Sequence, residues 1–145
     1  QTVNNEVSGN FDDRFRLAEG TLDLLAYLKE NGYKVGLVTT RGSNSLPRLL
    51  NMHGVNDYFD VVVNRDDCVE RKPHPQPILI ALEKMGTHPI HAMYVGDKQS
   101  EDVIAGNSVG MVTVLTNSDG VDNYCASPRY HVKDPMELLS IFHRR

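Results

Sequence analysis

Three short stretches set polar groups where an apolar run stops. Val38-Thr39-Thr40-Arg41-Gly42 puts two hydroxyls and free backbone N–H groups at the end of Tyr33–Val38. Such an end can hold an oxyanion, with Arg41 beside it as a contact for a bound anion. Arg71-Lys72-Pro73-His74-Pro75 fixes a lysine in a backbone restricted by two prolines. A lysine so held is a point charge that can face a phosphate or a carboxylate. Tyr94-Val95-Gly96-Asp97-Lys98-Gln99-Ser100-Glu101-Asp102 runs an apolar strand straight into Gly-Asp and then into two more acids. Asp97 is the kind of oxygen ligand that a hard cation such as magnesium takes. Each stretch also has a plainer reading. Thr39 can end a strand while Ser43 or Ser45 caps the next helix. Lys72 can be a solvated loop lysine, and Asp97 a turn residue. Glu101 and Asp102 can simply favour the start of a helix dipole.

The elements that must position these residues follow from periodicity. Leu22, Leu24, Leu25 and Leu28 fall at helical spacing, and Gly32 closes that helix. Tyr33–Val38 reads as a buried strand. A helix over 45–53 with Pro47 near its start ends at His53-Gly54, where the histidine suits the helix terminus. Strand 60–64, helix 77–85, strand 92–95, helix 101–108, strand 111–115, strand 130–132 and helix 135–142 follow. Alternation of helices with continuously apolar strands predicts an α/β three-layer sandwich around a mainly parallel sheet. Ligands in such folds gather at the carboxyl ends of the strands, where all three stretches lie.

A chain of 145 residues is one ordinary domain, large enough for a single core. Net charge is -4 and the basic residues are scattered, which argues against nucleic acid or an anionic membrane as a partner. No apolar run approaches a spanning helix, and the polar opening QTVNNEVSGN has no signal-peptide core. A first residue of Gln points to sequence upstream. Cys68 and Cys125 form no CxxC, and His74, His88, His91, His131 and His143 share no metal-ligand spacing. A reduced, cytoplasmic setting is the expectation.

Taken together, Val38-Thr39, Lys72–Pro75 and the GDxxxxD stretch from Gly96 to Asp102 resemble the haloacid-dehalogenase superfamily, nearest its phosphoglycolate-phosphatase-like members. Ala105–Val114 (AGNSVGMVTV) resembles the helix-turn-strand that follows that family's acidic motif. The resemblance covers about 19–142 and implies roles. Thr39 and the Thr40 backbone would bind a phosphoryl group, and Lys72 would steady the charge between nucleophile and phosphate. Asp97 would coordinate magnesium, with Asp102 or Glu101 in support. The substrate would be a small phosphorylated metabolite.

One departure limits the resemblance. The family's nucleophile is the first Asp of a DxDGTL stretch ending the first strand, and no such stretch occurs here. Asp12-Asp13 is the nearest acidic pair, but it follows Asn10-Phe11 and no apolar strand, so nothing there positions a nucleophile. The expectation is therefore a core domain over 19–145 that lacks its first strand. Residues 1–18 would be a remnant of a cap or linker. Thr2–Ser8 looks too polar for a central strand, so a second polypeptide is expected to fill the gap. The leading reading is a magnesium-dependent phosphohydrolase by lineage whose nucleophile lies outside this chain. The alternative is a catalytically degenerate domain that binds a partner or ligand. A receiver-type signalling domain is disfavoured, because Asn64 and Arg65 stand where its phosphoacceptor aspartate would be.

Overall fold

The computed structural model describes residues 2–4, 20–52 and 54–143, the first three by their backbone alone. Strands β1 (Thr2–Asn4), β2 (Gly36–Val38), β3 (Val61–Val63), β4 (Met93–Gly96), β5 (Val112–Thr116) and β6 (Tyr130–Val132) form one sheet in the order β3-β2-β1-β4-β5-β6. Every pairing is parallel. Successive side chains of a strand point to opposite faces, and the two cores sort accordingly. Leu37, Val95 and Val114 face α1 (Thr21–Glu30), α2 (Leu46–Met52) and α5 (Pro135–His143). Val38, Val63 and Tyr94 face α3 (Gln76–Met85) and α4 (Ile104–Ser108). The fold is the expected three-layer α/β sandwich with a parallel sheet.

The helix expected from the Leu24, Leu25 and Leu28 spacing is α1, and all three leucines are buried. Each contributes about 1.5–3 kcal/mol by leaving water. Gly32 follows it with φ 79°, a left-handed backbone that suits glycine. The strand expected over Tyr33–Val38 is shorter. The Tyr33 N–H bonds back to the Leu28 carbonyl at 2.9 Å, and the Val35 N–H goes to the Asp60 carboxylate at 2.8 Å. Those residues are bonded elsewhere, and the ladder starts at Gly36. The helix expected from Glu101 starts earlier, as a wide π turn over Gln99–Val103 that leads into α4.

The expected gap in the sheet is not there. Thr2–Asn4 lies between β2 and β4, with Thr2 opposite Gly36 and Tyr94, and Val3 opposite Leu37 and Val95. The expectation of a missing first strand, filled by a second polypeptide, is thus corrected by the chain's own backbone. Ladder bonds are made by N–H and C=O groups whatever the side chains, so a polar sequence does not bar a three-residue strand. Two strand edges left open beside a core would have been far costlier. Asp12, Asp13, His53 and the reading of residues 5–18 as cap or linker lie outside the described residues.

Candidate active site

The sheet register brings the three stretches to one end. Val3 pairs with both Leu37 and Val95, so β2 and β4 run level on either side of β1. Thr39 and Asp97 are the residues just past β2 and β4. Two strand spacings separate their backbones, ~10 Å.

Thr39 is buried, and its N–H extends the ladder to the Val63 carbonyl at 2.9 Å. Its hydroxyl oxygen accepts the Arg41 N–H at 3.1 Å, which folds the chain back over the strand end. Thr40 is exposed, and its N–H meets no acceptor among the described residues. A hydroxyl and an open N–H at a strand end make a place for an anion's oxygens.

Lys72 is not a solvated loop lysine. Its ammonium lies 2.7 Å from Asp102 Oδ1, with the two side chains only 2% and 1% exposed. Asp102 Oδ2 accepts the Lys98 N–H at 3.1 Å, and the Tyr94 hydroxyl stands 3.5 Å from Oδ1. Asp102 thus holds Lys72 and ties the start of the π turn. Gly96 makes this possible, since a Cβ at that position would overlap the Asp102 carboxylate. The Lys72 loop is itself fixed by Gln76, whose side-chain oxygen accepts the N–H groups of Val69 and Glu70 at 2.8 and 2.6 Å.

Asp97 differs from Asp102. Its side chain reaches solvent and has no ion-pair partner among the described residues. Enough protein surrounds its root that desolvation raises its pKa above the usual 3.8, and the Asp102 carboxylate adds to the rise. Its own backbone N–H, Lys98 and Lys72 oppose the shift. No cluster of three acids, histidines or cysteines occurs among the described residues. One open carboxylate still fits magnesium, which keeps several waters and takes further oxygens from a phosphate. Asp102, also expected as a metal residue, is committed to Lys72 and the Lys98 N–H.

Thr39, Thr40 and Lys72 line a cavity of about 150 Å³ together with Asn64, Arg65 and Arg71. The sequence reading missed Arg65, Gln76 and the Gly96–Asp102 contact. In the sequence Asn64 and Arg65 read only as a strand end. The spacing of Gln76 from the lysine was the available signal for the loop clamp.

Fold and site together define an α/β protein whose polar residues gather at the carboxyl ends of parallel strands. Residues 1–116 match the haloacid dehalogenase-like hydrolases, and the chain belongs to that family. It is 38% identical over 126 residues to the pyrophosphatase PpaX of Bacillus pumilus, covering 85% of this chain and 58% of that protein. It is 33% identical over 135 residues to a phosphoglycolate phosphatase of Nitrosococcus oceani, covering 91% of this chain and 60% of the relative. The crystal structure of a HAD phosphatase from Thermococcus onnurineus superposes with a TM-score of 0.78 at 37% identity, covering 88% of this chain and 58% of that one. The chain therefore spans about three-fifths of the length of these relatives. No helix among the described residues is long and apolar enough to cross a membrane.

Proposed function

We propose that these residues form the phosphate-holding part of a magnesium-dependent phosphohydrolase acting on small phosphorylated compounds. Pyrophosphate and phosphoglycolate are the compounds for which the relatives are named. The observation that carries the reading is the buried Lys72–Asp102 pair at the cavity that Thr39 and Thr40 also line. A purely structural loop gains little from burying a lysine beside a polar strand end, since desolvation offsets most of the attraction.

In this reading the Thr39 hydroxyl and the Thr40 N–H donate to the oxygens of the phosphoryl group. Lys72, kept in place by Asp102, balances the charge that builds as phosphorus is attacked. Asp97 would hold magnesium, which when bound neutralises phosphate charge. The attacking carboxylate is not among the described residues. By the family resemblance it attacks phosphorus and forms an aspartyl phosphate, the ester oxygen leaves with a proton, and water then releases phosphate.

The second reading, a degenerate domain that binds without chemistry, has one observation in its favour. The strand between the Thr39 and Asp97 strands ends in Asn4, and the family resemblance puts a nucleophilic aspartate at the end of that strand. A neutral amide is no nucleophile for phosphorus. The purified chain, given magnesium and an aryl phosphate, is expected to show no turnover. It is expected to bind inorganic phosphate with amide shifts at Thr39 and Thr40 in NMR spectra. Turnover abolished by Asp97→Asn would mean that the nucleophile is present after all. Absence of any phosphate-dependent shift at Thr40 would remove the phosphate site.

A further inference from the structure

Residues 117–129, between β5 and β6, form a loop with no helix or strand of its own, and loops of that length in a compact domain usually serve a function. This one is braced from within. Asn117 Oδ1 accepts the Gly120 N–H at 3.0 Å, and Asp122 Oδ1 accepts the Tyr124 N–H at 2.9 Å. Side chains outside the loop then fasten it to the fold. Asn107 of α4 donates from Nδ2 to the Ser127 carbonyl at 3.0 Å. The Gln99 side chain takes hold nearer the site: Nε2 donates to the carbonyls of Asp122 and Ala126 at 2.9 and 2.8 Å, and Oε1 accepts the Asp122 N–H at 2.9 Å. Gln99 opens the π turn, two residues past Asp97. Such turns are rare and tend to occur at functional sites. Asp97 is thus bracketed by fixed backbone. Before it, Gly96 is locked in the ladder opposite Leu115. After it, the chain is tied on one side by the Lys98 N–H to Asp102 at 3.1 Å and on the other by the Gln99 clamp. Asp97 itself reaches solvent, so the backbone on either side does much to aim its carboxylate.

We infer that Gln99 is a positioning residue for the Asp97 carboxylate, and that through Gln99 the loop over 117–129 is coupled to a divalent cation bound at Asp97. The inference rests on the magnesium reading of Asp97 proposed above. Gln99 acts through the backbone and touches neither cation nor phosphate in this role. Without the clamp, the start of the π turn keeps its tie to Asp102 and loses those to the loop. Asp97 then points in the productive direction for a smaller share of the time, and apparent affinity falls by that share. Coupling is reciprocal, so a cation that fixes Asp97 also holds the loop closed more firmly. The Asp122 N–H, bonded to Gln99 Oε1, reports whether it does.

The test uses the full 145-residue chain with magnesium ion alone as the probe. Affinity is read from the Lys98 amide shift in NMR titrations, and loop opening from hydrogen exchange at the Asp122 N–H. Gln99→Ala should weaken magnesium binding about fivefold or more. Asn107→Ala, which frees the same loop at its α4 attachment, should leave the affinity within about twofold of the parent's. Both variants should lower the urea midpoint, so a shared loss of stability does not account for the difference. Saturating magnesium should slow Asp122 exchange in the parent by the factor that Gln99→Ala loses in affinity, and should leave that exchange unchanged in Asp97→Asn. Magnesium that binds the parent without slowing Asp122 exchange would overturn the coupling, even if Gln99→Ala failed to fold. Equal weakening in Gln99→Ala and Asn107→Ala would make Gln99 a general brace and overturn its positioning role. If Asp97→Asn abolishes magnesium binding while Gln99→Ala leaves it intact, the inference fails and the magnesium reading stands. If the parent chain binds no magnesium, both fail.

Discussion

The Lys72–Asp102 pair invites the sharpest perturbation, Lys72→Met, which keeps the length of the side chain and removes its charge. At 2.7 Å the two groups attract with about 6 kcal/mol if the effective dielectric constant is about 20. Desolvating each ion costs several kcal/mol, so the intact pair adds little net stability. Removing one partner is different, because the cost of burying the other remains. The donors described for Asp102 besides the lysine are a neutral N–H at 3.1 Å and the Tyr94 hydroxyl at 3.5 Å. The expected loss is about 3–5 kcal/mol, a third or more of the roughly 5–15 kcal/mol that holds a domain together. That corresponds to a fall in Tm of about 6–20 °C for a chain of this size. Urea unfolding followed by circular dichroism measures it directly. The double variant Lys72→Met with Asp102→Leu should recover most of the loss, because no charge is then left buried. A loss under about 1 kcal/mol for Lys72→Met would place the pair with exposed ion pairs and refute the burial argument. So would a double variant as unstable as the two single losses added together.

Two further perturbations follow from the same corner of the fold. Gly96→Ala drives a methyl group into the Asp102 carboxylate, so it should cost about 1–3 kcal/mol or more through overpacking, read as a lower urea midpoint at unchanged m. Asp97→Asn should stabilise the chain at neutral pH. The folded pKa of Asp97 is raised above 3.8, so the native state holds its proton more tightly than the unfolded chain does. Stability from this group is therefore full below about 3.8 and is lost as pH rises through the raised value. The gain in Asp97→Asn should vanish in acid, and a pH series of melting temperatures that stays parallel to the parent's would contradict the shift. Magnesium should raise the melting temperature of the parent chain and not that of Asp97→Asn.

Much of this was legible in the residues because period and punctuation agree. Leu24, Leu25 and Leu28 give a helix, and Gly32 ends it. The apolar runs into Thr39 and Asp97 mark strand ends, and the parallel sheet that α/β alternation implies puts both ends on one side. What was not legible depends on side chains far apart in sequence. Asp60 takes the Val35 N–H and shortens β2 from a distance of twenty-five positions. Gly96 reads as a turn glycine, and only the fold reveals that its bare Cα makes room for Asp102. Arg65 reads as an exposed charge after a strand, and only the pairing of two turns brings it over Gly42. The polar Thr2–Asn4 reads as a poor strand by its side chains, whereas its place in the sheet is decided by backbone bonds.

That strand bears on what the site can do. A group at the carboxyl end of β1 is one strand spacing, ~4.8 Å, from the ends of β2 and β4. No other place in the sheet is that close to both Thr39 and Asp97. A nucleophile that meets a phosphoryl group held by Thr39 and Lys72 must come within ~3–3.5 Å of phosphorus, so it has to stand at this central end or reach it from outside the sheet. Asn4 ends the strand in register with Val38. In the proposed reading the holding groups surround a strand end whose last described residue is Asn4, and covalent chemistry there needs a carboxylate. In the proposed reading, binding of a phosphoryl group depends on Thr39, Thr40 and Lys72 and is expected to survive without a carboxylate at that centre, whereas turnover is not. Measuring phosphate affinity and hydrolysis independently therefore distinguishes a binding domain from an enzyme whose nucleophile lies elsewhere.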